Sequence, residues 1–157
     1  MEKNNQWSVS HVAYNLQEVG SYGAANPLSK EEKQKVQIHA VGKNTTGIFL
    51  PNYESHQGYG MGSLSLISVQ PDLIKPAGHF SISEENSGAC SDDSDESEIK
   101  SPCYEWNGTI QVKPYTDDTA DSIQVIKSGT ERVNDTLVKP ANTTYVKNAQ
   151  GIYEEVK

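Results

Sequence analysis

Tyr104-Glu105-Trp106-Asn107-Gly108-Thr109-Ile110-Gln111-Val112 is the stretch that most clearly indicates how this chain folds. Aromatic and β-branched residues, which favour strands, flank an Asn-Gly pair. Asn and Gly both tolerate the positive φ angles that the two central residues of a type I′ turn require. The stretch therefore predicts a tight β-hairpin with Asn107-Gly108 as its turn, and with it an antiparallel sheet.

Strand patterns recur on both sides of this stretch, as alternating apolar and polar residues or as short apolar runs that end at proline. The predicted strands are residues 47–50, ending at Pro51; 64–69, ending at Pro71; 79–83; 122–126; 136–138; 144–146; and 151–156, which closes a last hairpin over 148–150. The glycine-rich segment 58–63 leads into a strand pattern rather than a helix, so a loop or β-bulge is favoured there over a phosphate-binding loop.

One helix is predicted before these strands. Ser29 and Glu32 have the spacing of a capping box, and they follow Pro27. We expect this helix to run to about His39 or Ala40. A chain of 157 residues suits a single domain, residues 1–157. The order of elements predicts a mainly β (α+β) fold, an antiparallel sheet or a partly open barrel or sandwich of about seven to eight strands with one short N-terminal helix.

Cys90 and Cys103 are the only cysteines in the chain. They have neither CxxC spacing nor a flanking histidine pattern, so they make a poor zinc site. We predict a disulfide that closes an acidic loop over residues 84–103 and indicates an oxidising compartment. Two free thiols in a cytosolic protein are the alternative.

Negative charge is concentrated in this loop. The net charge is −8, and seven of the 21 carboxylates lie between Glu84 and Glu98, which leaves 14 acidic against 13 basic residues elsewhere. Such a loop repels nucleic acid and attracts cationic proteins or divalent metals. The alternative is a loop that only keeps the protein in solution.

The acidic run does not match an EF-hand. Counted from Asp93, the sixth residue is Glu98 rather than glycine and the twelfth is Tyr104 rather than glutamate. Weak calcium binding by clustered carboxylates stays open as an alternative.

No stretch reaches the roughly 20 apolar residues that span a bilayer, so we predict no membrane span. The residues from Met1 to Gln6 lack the basic and apolar regions of a signal peptide. If the disulfide is present, we expect a periplasmic or secreted protein whose export signal has been removed; otherwise the chain is cytosolic.

Motifs of catalysis are absent from the sequence. The four histidines show neither HxH nor HExxH spacing, and Ser63 lacks the glycines of the GxSxG pattern. The histidines are His11, His39, His56 and His79. We therefore predict neither an enzyme nor a cofactor.

A second candidate surface is the segment from Tyr53 to Tyr59, which combines aromatic and polar groups beside glycine. Tyrosine supplies contact area at low entropic cost, so such loops favour binding. The residues predicted to bind a partner are Tyr53, His56, Tyr59, Asp92, Asp93, Asp95, Glu96 and Glu98.

Several short patterns in the C-terminal half resemble those of small uncharacterised periplasmic proteins of Gram-negative bacteria. They are Cys103-Tyr104-Glu105-Trp106-Asn107-Gly108, Ser128-Gly129-Thr130-Glu131, Thr143-Thr144-Tyr145 and Gly151-Ile152-Tyr153. Such proteins are similar in size and disulfide use to periplasmic lysozyme inhibitors and to immunity proteins that neutralise cell-wall hydrolases. The resemblance implies binding through a rigid β scaffold.

Two functional hypotheses follow. The first is a periplasmic or secreted protein-binding module, an inhibitor or immunity protein that presents its acidic loop to a basic cell-wall hydrolase. The alternative is a carbohydrate- or Ca²⁺-binding envelope protein that uses exposed tyrosines together with Trp7 and Trp106. An enzyme ranks third. The sequence leaves the oligomeric state open.

Overall fold

The computed structural model of the chain describes residues 2–3, 6–7, 9, 35–90, 101–113 and 122–156. Over these residues the fold is mainly β and contains no helix. The strands are β1 (Glu2–Lys3), β2 (Gln6–Trp7), β3 (Gln37–Gly42), β4 (Thr45–His56), β5 (Tyr59–Gln70), β6 (Leu73–Glu85), β7 (Glu105–Val112), β8 (Ser122–Gly129), β9 (Glu131–Val133), β10 (Thr136–Val138), β11 (Thr143–Lys147) and β12 (Tyr153–Glu155).

Eight of these strands form one sheet, and one part of this sheet closes into a barrel. Its order is β12-β11-β8-β7-β6-β5-β4-β3, and β12 also pairs with β6. The strands β6, β7, β8, β11 and β12 therefore form a closed five-stranded barrel, where the sequence predicted an antiparallel sheet or a partly open barrel. The closing contact is parallel and joins Tyr153 to Gly78. We call the extension of the sheet by β5, β4 and β3 the wing.

One apolar core connects the wing to the barrel. Phe49 of β4 and Phe80 of β6 are fully buried, and their ring centroids lie 5.8 Å apart. The Phe80 ring also contacts Tyr145 of β11, at 4.7 Å between centroids. Burying a large apolar side chain contributes about 1.5–3 kcal/mol, so these rings hold β4 firmly against the barrel.

Every predicted strand overlaps an observed one, but β4 to β6 are longer than expected. Pro51 does not end β4, which continues to His56. Pro51 lies beyond the Gln37–Phe49 pair at which the named β3–β4 pairing begins, and it pairs with Leu64 of β5. A proline is tolerated where one side of a strand needs no amide donor.

The prediction that the helix runs to about His39 or Ala40 is wrong. Residues 37–42, which include His39 and Ala40, form β3 and pair with β4. The pairing buries Val41 to 2 % exposure beside Phe49 in the core, and such tertiary burial outweighs a local helix preference. The predicted helix start at Ser29 and Glu32 lies outside the described residues.

The hairpin predicted at Asn107-Gly108 is also wrong. Both residues lie inside β7, where Asn107 pairs with Ser83 of β6 on one side and with Ser128 of β8 on the other. Two-residue turns with positive φ occur instead at Gln57-Gly58, which joins β4 to β5, and at Asn134-Asp135, which joins β9 to β10. Positive φ at both residues is the requirement of a type I′ turn.

Gly108 still matters for stability, because of packing rather than turn geometry. A Cβ added at Gly108 would lie 2.5 Å from Val125 Cγ1 and 3.2 Å from the Ile82 carbonyl oxygen. We expect Gly108→Val to lower the free energy of unfolding by about 1–3 kcal/mol through overpacking. Chemical denaturation measures this loss, and Thr109→Val on the same strand is the control. An unchanged denaturation midpoint for Gly108→Val would contradict the packing seen around Gly108.

Candidate functional site

The disulfide predicted from the sequence is present. Cys90 and Cys103 are bonded, with their Cα atoms 5.0 Å apart. Residues 91–100 lie outside the described part of the chain, but both ends of the acidic loop are described. We call these ends, residues 86–90 and 101–104, the loop base. The five acidic residues of the predicted binding surface, Asp92, Asp93, Asp95, Glu96 and Glu98, lie outside the described residues.

Asn86 holds the two halves of the loop base together. Its side chain is fully buried, donates from Nδ2 to the Pro102 carbonyl at 3.0 Å and accepts from the Tyr104 amide at 2.7 Å. Its own carbonyl accepts from the amides of Ala89 and Cys90. The sequence analysis did not find this residue, although a turn-forming Asn-Ser-Gly just before Cys90 was a signal for it.

Arg132 attaches the loop base to a third element of the fold. Its Nη1 donates to Ser101 Oγ at 2.6 Å, and its guanidinium forms an ion pair with Asp135 in the turn between β9 and β10. The loop base is therefore held by a disulfide, a buried amide and an arginine.

The second predicted surface, residues 53–59, is the end of the β4–β5 hairpin rather than a loop. We call it the hairpin tip. Its turn contacts the loop base directly, since the Gly88 amide donates to the Gly58 carbonyl at 3.1 Å. A Cβ on Gly58 would lie 2.6 Å from the Ala89 nitrogen, and its φ of 85° also disfavours a side chain. The fold thus brings two segments that are distant in sequence into one site.

The three predicted residues of the hairpin tip lie at its surface. Tyr53 is 42 % exposed and Tyr59 is 37 % exposed. His56 is exposed and pairs with Tyr59 across the turn. Tyr53 also donates its hydroxyl to Glu85 Oε1 at 3.0 Å, which links the hairpin tip to the end of β6.

Two carboxylates of the site lie directly opposite each other on neighbouring strands, Glu85 on β6 and Glu105 on β7. Neutral donors fix their positions. Ser87 Oγ donates to Glu85 Oε2, and Asn107 Nδ2 donates to Glu105 Oε1 at 2.7 Å. The sheet register thus brings two like charges to opposed positions in the site.

A third carboxylate, Glu84, accepts a hydrogen bond of 2.7 Å from the Tyr104 hydroxyl. Burial, together with the hydrogen bond to Glu84 and its negative charge, raises the pKa of Tyr104 to about 12. The phenol therefore stays protonated, and able to donate to Glu84, throughout the neutral and mildly alkaline range.

Two cavities meet at the paired carboxylates, since Glu85 and Glu105 line both of them. The larger has a volume of about 730 Å³ and lies between the wing and β7. The smaller has a volume of about 560 Å³, and both cysteines of the disulfide and Thr130 line it. The site is thus a concave acidic surface rather than an isolated loop.

Trp106 does not offer an exposed ring for a sugar, as the alternative hypothesis required. It is 4 % exposed, and Lys127 Nζ lies 4.2 Å from the ring centroid. Its ring is therefore covered by the barrel and by a cation–π contact. The Trp7 side chain lies outside the described residues.

A polar row runs from Asn52, which lines the larger cavity, to Ser65 and His79, which line a third cavity of about 480 Å³ on the barrel seam. Asn52 Nδ2 donates to Ser65 Oγ at 3.0 Å, and Ser65 Oγ lies 3.5 Å from His79 Nδ1. Ser65 is only 5 % exposed, which limits its access to a substrate. The glycine-rich segment 58–63 forms the turn and the start of β5, and the register shifts between Gly62 and Ser63 as a bulge requires.

Metal ligands do not cluster within residues 35–90, 101–113 and 122–156, where no three His, Cys, Asp or Glu side chains are placed to hold one ion. The same part of the chain has no helix long and apolar enough to cross a membrane.

Comparison of the chain with protein-family models, with curated proteins and with solved structures finds no match. The functional argument therefore rests on the contact between the hairpin tip and the loop base, and on the charge gathered around it.

Proposed function

We propose that this protein is a periplasmic or secreted protein-binding module that presents an acidic surface to a basic partner, with basic cell-wall hydrolases as the partner class. The contact between the Gly58 turn and Gly88 supports this proposal, because it joins the hairpin tip, which carries Tyr53, His56 and Tyr59, to the loop base. Aromatic area surrounded by charge of one sign is the composition of a recognition surface.

The charge distribution supports a basic partner. Seven of 21 carboxylates fall between residues 84 and 98, and Glu105 adds another at the start of β7. A concentrated negative field speeds encounters with cationic proteins by about 10-fold to 1000-fold. The same field disfavours nucleic acid and anionic lipid.

The anchoring of the loop base favours a binding role for the acidic loop over a role in solubility alone. A loop that only keeps a protein in solution needs no attachment, whereas this one is held by Cys90–Cys103, by Asn86 and by Arg132. Restricting a loop before binding lowers the entropy lost on association. The disulfide also supports export to an oxidising compartment.

Neutralising Asp92, Asp93, Asp95, Glu96 and Glu98 to Asn or Gln tests the proposal. We expect association with lysozyme, a basic cell-wall hydrolase, to slow about tenfold or more at low salt, because steering by the loop is lost. The difference from the wild type should shrink near 0.15 M salt, where the screening length is about 8 Å. Surface plasmon resonance at two salt concentrations measures both effects.

The matched control separates this loop from total charge. Asp72, Glu154 and Glu155 lie on other parts of the fold, so their neutralisation should slow association less than that of Asp92, Asp93 and Asp95. Cytochrome c, which is basic but not a hydrolase, shows whether the interface selects hydrolases, and lysozyme turnover of cell walls shows inhibition. Equal association rates for the wild type and the loop variant would overturn the proposal.

A further inference from the structure

Two lysine side chains converge on the turn between β11 and β12, at the opposite end of β6 from Glu85. Lys75 lies near the start of β6, and Lys147 is the last residue of β11. A Cβ added to Gly151 in this turn would lie 2.8 Å from Lys75 Nζ and 3.4 Å from Lys147 Cε. The ends of the two side chains therefore lie close together over the glycine.

The two amines have different surroundings. Lys75 Nζ donates to the Gln150 carbonyl oxygen at 2.7 Å, and such an acceptor stabilises the protonated form. Lys147 Nζ lies 6.0 Å from the centroid of the Tyr153 ring, which belongs to its pairing partner in β12. Lys147 forms neither a hydrogen bond nor an ion pair with the side chains and backbone of the described residues. Of the two amines, Lys147 is therefore the one that loses its proton more readily.

Burial and a like charge both favour the neutral form of this amine. Lys147 is half-buried, and burial together with the positive charge of Lys75 lowers its pKa. The carboxylates of β12 do not cancel this effect. Side chains alternate between the faces of a strand, so Glu154 lies on the face opposite to that of Lys147, and Glu155 pairs with Tyr145.

We propose that Lys147 is a nucleophilic amine that captures aldehydes as imines, and that the ammonium group of Lys75 activates it. A lysine that is desolvated or lies beside a second cation becomes nucleophilic near neutral pH, and Lys147 meets both conditions. The inference does not depend on the function proposed above, since the acidic surface lies at the other end of β6.

The reaction needs no group besides the amine and the aldehyde. The Nζ lone pair of Lys147 forms a bond to the carbonyl carbon. The nitrogen then gives up its two protons, and the carbonyl oxygen takes up two protons and leaves as water. A carbon–nitrogen double bond, the imine, replaces the carbonyl.

Reductive trapping with propanal and cyanoborohydride tests this proposal, because the hydride converts each imine into a stable secondary amine. Peptide mass spectrometry then gives the trapping rate of each lysine in the intact protein. The internal control is Lys43, which is exposed in the turn between β3 and β4. At mildly alkaline pH we expect Lys147 to be trapped about threefold or more faster than Lys43, because more of it is neutral. Equal or slower trapping of Lys147 would overturn the proposal.

Lys75→Gln tests the activating charge. The variant removes the positive charge while its amide can still donate to the Gln150 carbonyl. We expect trapping of Lys147 to slow about threefold and its pH profile to move to higher pH, because its ammonium form is no longer repelled. Lys127→Gln, which removes the same charge from β8, should change neither. A loss of packing alone would not move the pH profile, so an unchanged profile in Lys75→Gln would refute activation by Lys75.

Discussion

Replacing Asn86 with alanine is expected to destabilise the protein by about 3 kcal/mol. The side chain is fully buried and satisfies two backbone groups, the Pro102 carbonyl and the Tyr104 amide. Each buried group left without a partner costs about 1–3 kcal/mol, and alanine satisfies neither. The loss should appear as a lower denaturant midpoint.

Asn44→Ala is the matched control, because Asn44 is exposed in the turn between β3 and β4. An exposed substitution of this kind should change stability by less than about 0.5 kcal/mol. Equal stability of the two variants would show that Asn86 does not hold the loop base. Hydrogen exchange at the Tyr104 amide adds a local reading, since this amide should lose protection in Asn86→Ala.

Two pairs of residues that contain glycine, Asn107-Gly108 and Gln57-Gly58, show what local sequence can and cannot predict. Asn107-Gly108 is the stronger turn signal, yet β6 and β8 pair with it on both sides and keep it extended. Gln57-Gly58 is the weaker signal and forms the turn, because its flanking residues pair in register from His56–Tyr59 up to Thr46–Val69. A long register of cross-strand pairs outweighs the preference of two residues.

Strand identity was predictable where apolar residues alternate or run together, as in β5, β8 and β11. The closure of the barrel was not, because it depends on a single parallel contact between Tyr153 and Gly78, which are far apart in sequence. Local sequence patterns do not indicate pairings between residues so far apart.

The site was predictable in part. The cysteine pair and the acidic run indicated an anchored loop, and Tyr53 and Tyr59 indicated a binding surface. The contact between these surfaces depends on the fold, through the approach of Gly58 to Gly88. The sequence analysis did not identify Glu105, because it is isolated in the sequence and comes to lie opposite Glu85 only in the folded sheet.

Removing the disulfide is the second change with a large expected effect. Cys90 and Cys103 are separated by 13 positions, and closing a loop of about this length stabilises a protein by about 3 kcal/mol in the chain-entropy model. The double variant Cys90→Ala with Cys103→Ala should lose about this much free energy of unfolding. A reducing agent should lower the stability of the wild type similarly and leave the double variant unaffected. A reductant that changes neither protein would contradict the expected contribution of the disulfide.

Binding kinetics of this double variant then separate charge from anchoring. The variant keeps every carboxylate, so its steering field and its association rate with lysozyme should stay close to those of the wild type. Its loop base has lost one of three anchors, so the bound loop is less restrained and dissociation should be faster. The neutralised loop variant should show the opposite pattern. Its association should be slow, whereas the anchoring of its loop base should not change comparably. If removing the disulfide slowed association as much as removing the charge, the loop would act through its shape before contact, and electrostatic steering would no longer explain recognition.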